Sequence, residues 1–309
     1  MSTDAVVIWG ELLWDRYPSE GAPGGGDRLG GAPANVAWHL GLAGGWARLV
    51  TRVGDDDAGH RAIAQLDGVV DTSLIQVDPE RATGEVTIAL ERGEPRYTLH
   101  PGRAWERIAC TEAARAAIGD AGVFVYGTLS QRTAEGLAEW QRAIAAAGRA
   151  VTVYDANLRP NDQASHAIGS ALAHADVVKL NDREVGQLGR LFGWDDPVAR
   201  LRTPDRDGRL EPRADRPRLV VVTHGAAGST IYPVDGAPIE VPGVHAAPGG
   251  DNVGCGDAYL ALFVFGMTSG WDLATSGRIA SRWAAAVAGV RGATPWFDDE
   301  RIAELLEAA

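Results

Sequence analysis

The segment Asp251-Asn252-Val253-Gly254-Cys255-Gly256-Asp257 runs into the apolar stretch Ala258–Phe263 and carries the residues best suited to chemistry. Glycines just before a helix let successive backbone N–H groups converge, and the positive helix end adds to them, so such a turn holds an anion. Fixed amides of this kind stabilise the negative charge that spreads over a phosphoryl group in transfer. A carboxylate at Asp257 would stand beside the amides of Gly254, Cys255 and Gly256, placed to accept the proton of an attacking hydroxyl. The same residues also read as a plain helix start in which Asp257 caps the first turn and the glycines serve only the bend. Residue types alone leave both readings open.

Three further groups invite a chemical reading. In Gly30-Gly31-Ala32-Pro33-Ala34-Asn35 the paired glycines admit a hydroxylated ligand to the backbone. Pro33 suits an early helical position, and Asn35 offers a donor and an acceptor to hydroxyls; a helix-entry turn explains the same residues. Thr223-His224-Gly225-Ala226-Ala227-Gly228 follows a strong strand, and its glycines allow a tight turn close to a phosphate or ribose, or an ordinary β-turn. No partner pattern supports acid–base work at His224. Arg159 supplies a planar donor suited to phosphate. Lys179 is the single lysine of the chain and follows no glycine-rich loop, so a Walker A motif is excluded. Any nucleotide phosphate must then be met by amides, arginine and metal, and the arginine bias reads as that of a GC-rich genome.

Positioning these groups requires a scaffold. Short apolar runs at Ala5–Trp9, Gly122–Tyr126, Ala150–Tyr154, Asp176–Leu180 and Leu219–Thr223 lack polar alternation, as strands buried on both faces do. Alanine-rich helical stretches, Gln131–Ala147 and Gln163–Ala173, lie between them. The alternation predicts an α/β fold around a largely parallel sheet, with ligands at the carboxyl ends of its strands. Glu85–Leu90 and Arg96–His100 alternate like a half-exposed hairpin turning at Gly93-Glu94-Pro95, and Glu11–Tyr17 reads as extended. Together they predict a small β flap over the sheet. Pro18–Arg28, with Gly24-Gly25-Gly26, reads as a flexible loop, and Thr203–Pro217 as an exposed insertion.

Composition limits the rest. At 45% hydrophobic and 23% charged the chain is no disordered segment. A net charge of -12 argues against nucleic acid as a partner. Cys110 and Cys255 make no disulfide framework. The start of the chain has no basic region and only a short apolar run, and no stretch is long enough to span a membrane, so a cytoplasmic location is the expectation.

The C-terminal segment resembles the signature of the ribokinase-like (PfkB-type) carbohydrate kinases, Asp-Thr-x-Gly-x-Gly-Asp, with Asn252 in place of the usual Thr. The resemblance implies that Asp257 is the base and that Gly254, Cys255 and Gly256 form the anion hole. Further segments match in the family's order over roughly residues 5 to 305. The Gly30–Asn35 group is similar to the N-terminal sugar-binding signature, which places Gly30, Gly31 and Asn35 at the sugar, and Asp15 matches the acidic sugar ligand. Asn181-Asp182-Arg183-Glu184 looks like the Asn-x-x-Glu element. It implies ATP contact at Asn181 and a Mg²⁺ held through water by Glu184, since Mg²⁺ keeps several waters; the pattern is also a helix start. Thr223, Gly225 and Gly228 match the nucleotide-side turn, and Gly292, in Arg291-Gly292-Ala293-Thr294-Pro295, a loop near ATP. That loop also makes Asp251 a candidate K⁺ ligand. Asp155-Ala156-Asn157-Leu158-Arg159 resembles a segment of fructokinase-like members, which puts Arg159 at the substrate; Tyr97, Arg103 and Trp105 fall where relatives place substrate-facing side chains. The expectation is therefore one ribokinase-like domain over 1–309, with a three-layer architecture and a lid from about 11–30 and 85–103. Its substrates would be ATP and a small sugar, fructose first and then 2-keto-3-deoxygluconate, ribose or a nucleoside. A homodimer through the lid is a further option. A non-catalytic sugar or nucleotide sensor on the same fold is the rival from another class. A Rossmann oxidoreductase lacks its glycine fingerprint after the first strand.

Overall fold

A strand that is apolar on both faces needs cover on both faces, and these strands divide their side chains accordingly. The computed structural model describes residues 4–17, 26–91, 94–159, 165–203 and 218–307. In chain order the strands are β1 (Val6–Trp9), β2 (Leu13–Tyr17), β3 (Gly26–Gly30), β4 (Ala47–Gly54), β5 (Ile75–Asp78), β6 (Gly84–Glu91), β7 (Glu94–Leu99), β8 (Val123–Gly127), β9 (Val151–Asp155), β10 (Val177–Asn181), β11 (Leu219–Thr223), β12 (Gly228–Tyr232) and β13 (Ile239–Pro242). The helices are α1 (Ala32–Leu42), α2 (Asp57–Leu66), α3 (Glu112–Gly119), α4 (Ala134–Ala146), α5 (Ser165–Ala173), α6 (Asp182–Phe192), α7 (Pro197–Arg202), α8 (Cys255–Thr268), α9 (Leu273–Ala288) and α10 (Asp299–Leu306).

Nine strands form one sheet in the order β13-β12-β11-β10-β9-β8-β1-β4-β5. Pairing is parallel from β5 to β11, and β12 and β13 add antiparallel at one edge. Val6, Ile8, Val123, Val125, Val153 and Val221 enter a core shared with α1, α2, α8, α9 and α10. Their neighbours Val7, Trp9, Phe124, Tyr126, Tyr154 and Val220 enter a second core beneath α3 to α7. The expected α/β architecture around a mostly parallel sheet is what forms.

A separate four-stranded sheet, β3-β2-β6-β7, carries the residues expected in the flap. β2 is antiparallel to β3 and parallel to β6, and β6 and β7 form the hairpin. Leu13, Val86 and Ile88 make its small core. One expectation is corrected here. Gly26–Arg28 read as loop but belong to β3, because Tyr17, Arg16 and Asp15 supply cross-strand partners that glycine content does not reveal. Gly24, Gly25 and residues 204–217 of the expected insertion lie outside the described residues. Among the described residues no helix is long and apolar enough to cross a membrane.

Candidate active site

Side-chain caps mark most helix starts in this chain. Asp56, Thr111, Thr133, Asn181, Asp196, Asp272 and Asp298 each accept a hydrogen bond from the first turn of their own helix. The helices α1 and α8 differ: they start at Gly31 and Gly254, with no side-chain cap. No N-cap side chain therefore occupies their first turns, although the Glu11 carboxyl accepts from the Ala32 N–H of α1. Both ends open onto one cleft of about 1140 Å³ at the carboxyl end of the sheet, lined by Gly31, Asn35, Gly254, Gly256 and Asp257 together with Asp15. Gly254 has φ 76°, and a Cβ there would lie 2.6 Å from that of Ala293, so glycine is required twice over.

Asp257 occupies the third position of α8, is buried, and accepts a hydrogen bond from Asn35 Nδ2 at 2.8 Å. Burial and the nearby Asp155 raise its pKa to about 7, against the pull of Lys179, Asn35 and Arg159. A base with its pKa near the working pH is the efficient kind. The Asn35 amide joins the two signatures. Its donor is given to Asp257, and its buried Oδ1 has no partner among the described residues. Asp15 projects from β2, and a Cβ at Gly30 would come within 2.5 Å of its Oδ2, so Gly30 serves the site by leaving that room. Burial lifts Asp15 to about 6, moderated by Arg159 and Arg28. Buried Glu11, one residue past the turn after β1, is lifted by burial to about 7, and its Oε2 has no partner among the described residues.

On the opposite wall, Asn181 ends β10 and caps α6 in a complete capping box: it accepts from the Glu184 N–H at 3.0 Å, and Glu184 accepts from the Asn181 N–H at 2.8 Å. The other Glu184 oxygen takes the Leu158 N–H at 2.9 Å. The helix-start reading of this motif and its place in the cleft are therefore both true. Arg159 lines the same cleft, reached through Asn157, which holds φ 37° as asparagine tolerates.

Several expected residues lie elsewhere. Arg103 is ion-paired with Glu85 and is absent from the cleft wall. Trp105 is a core residue against Gly84. Of Tyr97 only the backbone, in β7 opposite Ile88, is described. Thr223, Gly225 and Gly228 form the β11–β12 turn next to Asn181 but do not line the cleft. A Cβ at Gly228 would lie 2.1 Å from the Val241 carbonyl, so the turn itself demands that glycine. His224 bonds Asp182 at 2.7 Å and Thr230 at 2.9 Å, a structural role. The Cys255 thiol turns toward the Asp251 carbonyl, and burial raises its pKa to about 11, so the thiol stays protonated. Lys179, Asn157 and Arg183 also line the cleft, with Asp155 bonded to Lys179, and the motifs assign none of the four a role. A lone lysine inside the apolar run Val177-Val178-Lys179-Leu180 was the available signal for the first.

The loop that supports Gly254 is held by a buried histidine. His39 Nε2 donates to the Ala293 carbonyl at 2.8 Å, and Nδ1 accepts from Trp283 Nε1 at 3.2 Å, which fixes the tautomer. Trp38 Nε1 donates to the Pro295 carbonyl at 3.0 Å. The Gly292 N–H meets the Asp251 carboxylate, which also accepts from Val253 N–H and Arg28. Burial lowers the His39 pKa from 6.5 to about 4. Below pH 6.5 the unfolded chain therefore takes up a proton that the folded chain refuses, and His39 costs stability as pH falls. Glu11, Asp15 and Asp257 respond in the opposite sense, so the measurement is a difference from His39→Gln, which keeps those acids. The stability advantage of wild type over this variant should shrink by about 1.4 kcal/mol per pH unit between pH 6.5 and 4 in urea unfolding. A constant advantage would contradict a neutral His39.

Comparison with known proteins identifies the family. Residues 5–299 match the model of the pfkB family carbohydrate kinases. A probable fructokinase of Arabidopsis thaliana is 31% identical over 280 residues, covering 84% of this chain and 78% of the relative. A putative sugar kinase of Pyrococcus horikoshii is 26% identical over 311 residues, covering 95% and 94%. The crystal structure of a fructokinase with bound ATP from Xylella fastidiosa superposes with a TM-score of 0.84 at 22% identity, over 98% of both chains. The chain belongs to the pfkB family of carbohydrate kinases.

Proposed function

We propose that the protein transfers the γ-phosphoryl of ATP to a hydroxyl of a small neutral sugar, fructose before others, with Asp257 as the base. The observation that carries this reading is the meeting of a buried carboxylate with two glycine-led helix starts in one cleft. Asp15, Asn35 and the Gly31 turn hold the sugar, with Arg159 at its far side. The acceptor hydroxyl gives its proton to Asp257 as its oxygen bonds the γ-phosphorus. The bond from that phosphorus to the β–γ bridging oxygen breaks, ADP leaves, and the Gly254, Cys255 and Gly256 amides receive the equatorial charge. The β2-β3-β6-β7 sheet closes as a lid and excludes water. A cytoplasmic location and a homodimer through the lid belong to the same proposal, the latter checked by light scattering.

ATP-dependent kinases use Mg²⁺ to neutralise phosphate charge. Glu184 fits a hydrated ion: its two oxygens each accept one backbone N–H and retain acceptor capacity toward the cleft. Asp251 fits K⁺ poorly, since N–H groups and Arg28 surround its carboxylate; a monovalent ion there would depend on backbone carbonyls.

Fructose is favoured by the Gly30–Asn35 and Asp155–Arg159 segments and by relatives named as fructokinases. An ADP-release panel of fructose, ribose, 2-keto-3-deoxygluconate, adenosine and fructose phosphates, with and without K⁺, tests it. Fructose should give the highest kcat/KM. No ADP with any acceptor would favour the sensor. Asp15→Ala should raise the KM for sugar about 10- to 100-fold, the loss of hydrogen bonds to a charged group, and leave ATP affinity in place.

A further inference from the structure

The transfer step described above gives no part to Lys179, the one lysine in the chain. The residue is 5% exposed and lines the cleft. Its Nζ donates to Asp155 Oδ1 at 3.0 Å, while buried Asp155 Oδ2 has no partner among the described residues. On the other side a Cβ at Gly256 would lie 3.0 Å from Nζ, so the ammonium rests against the first turn of α8. A buried ion pair costs desolvation at both ends and is weak evidence for stability. Every other basic side chain among lysine and arginine here is arginine, yet this gap under Gly256 suits a compact point charge better than a planar fork.

We propose that Lys179 is a positioning residue of the transfer step: its ammonium, fixed by Asp155 against Gly256, favours the ionised form of Asp257 and offsets charge arriving at the Gly254–Gly256 amides. The inference rests on the reading of Asp257 as base. Asp257 is faced by Asp155 from β9, Lys179 from β10, Arg159 from the segment after β9, Glu11 between β1 and β2, and Cys255 on its own helix. Lys179 is faced in addition by Glu184 of α6 and Tyr259 of α8. Burial opposes the lysine charge, but Asp155, Glu184 and Asp257 together outweigh it and hold its pKa above the ordinary lysine value. Lys179 thus stays a cation throughout the working range.

The test compares Lys179→Met, Asp155→Asn and Asp257→Asn in the full chain by ADP release, with separate kcat and KM and the pH dependence of kcat/KM. Lys179→Met should lower kcat about 100-fold, as loss of a fixed transition-state charge does, with both KM values held within about threefold. Its acidic limb should move up by about one pH unit, since a removed cation favours the protonated carboxyl. Asp155→Asn should move the same limb down. Breaking a structural strut from either side would damage the same strut, so opposite displacements are the signature of charge. Limbs that stay put, or that move together, overturn the proposal. Should Lys179→Met fail to fold, the downward shift in Asp155→Asn supports the proposal, and an upward or absent shift refutes it. Turnover in Asp257→Asn would instead strike at the base, whereas an inactive Asp257→Asn beside an unaltered Lys179→Met would remove only the role of the lysine.

Discussion

Asp257→Asn should lower turnover about a thousandfold, within the range that a positioned general base supplies, while the KM values for ATP and sugar change little. The substitution is nearly isosteric, and its carbonyl can still accept from Asn35, which at present donates to Asp257 Oδ2. What disappears is the ability to take the acceptor proton. The ionisation of Asp257, raised by burial and Asp155 to about 7, should appear as the acidic limb of kcat/KM, and the variant should lose that limb along with the rate. Stability should move the other way. A carboxyl whose folded pKa lies above its unfolded value stabilises most at low pH, and that contribution fades as pH rises through the folded value. For Asp257 the window runs from its ordinary 3.8 to about 7. The melting temperature of the variant relative to wild type should therefore be higher at pH 8 than at pH 5. Turnover near the wild-type rate would remove Asp257 from the role of base.

Gly254→Ala should reduce kcat about 100-fold, the loss expected when a hole of fixed amide donors is displaced. It should also cost about 1–3 kcal/mol of stability from a strained left-handed backbone. The two effects share a cause. The new methyl would meet Ala293 Cβ at 2.6 Å and its Cα at 2.7 Å, so either the α8 start or the loop fastened by His39 and Trp38 must shift. Gly270→Ala separates strain from function. It holds a similar φ of 74° in the turn between α8 and α9, with no heavy atom within 4 Å of a built Cβ. It should lose stability of the same order from backbone strain and keep kcat. If Gly254→Ala lost stability but kept its rate, the amides at this helix start would not be receiving the phosphoryl group.

Both variants concern residues that local sequence already singled out, and the reason is physical. Glycine before a helix and acid in its first turn are backbone requirements, met within a few residues of chain. Apolar runs without alternation announce a strand with cover on both sides, and β1, β8, β9, β10 and β11 form within about a residue of those runs. The strands β4, β5, β12 and β13 carry no such apolar run. The first carries Arg48 and Arg52, and the sheet edges tolerate exposed positions such as Val77. The sheet β3 joins was legible only in part, since a strand of Gly26, Asp27 and Arg28 exists through its partners.

Sequence by itself determined the sheet class, the family, the glycine-led helix start and the acid beside it, because each is written in neighbouring residues or in their order along the chain. Tertiary structure alone decided which long-range pairs share the cleft. It gave the Asn35 amide to Asp257 across 222 positions of chain, turned Arg103 away to Glu85, and set the one lysine beneath Gly256. Those outcomes depend on strand order and on the path of the chain between elements, and neither is fixed by local propensity or by the spacing of residues within a motif.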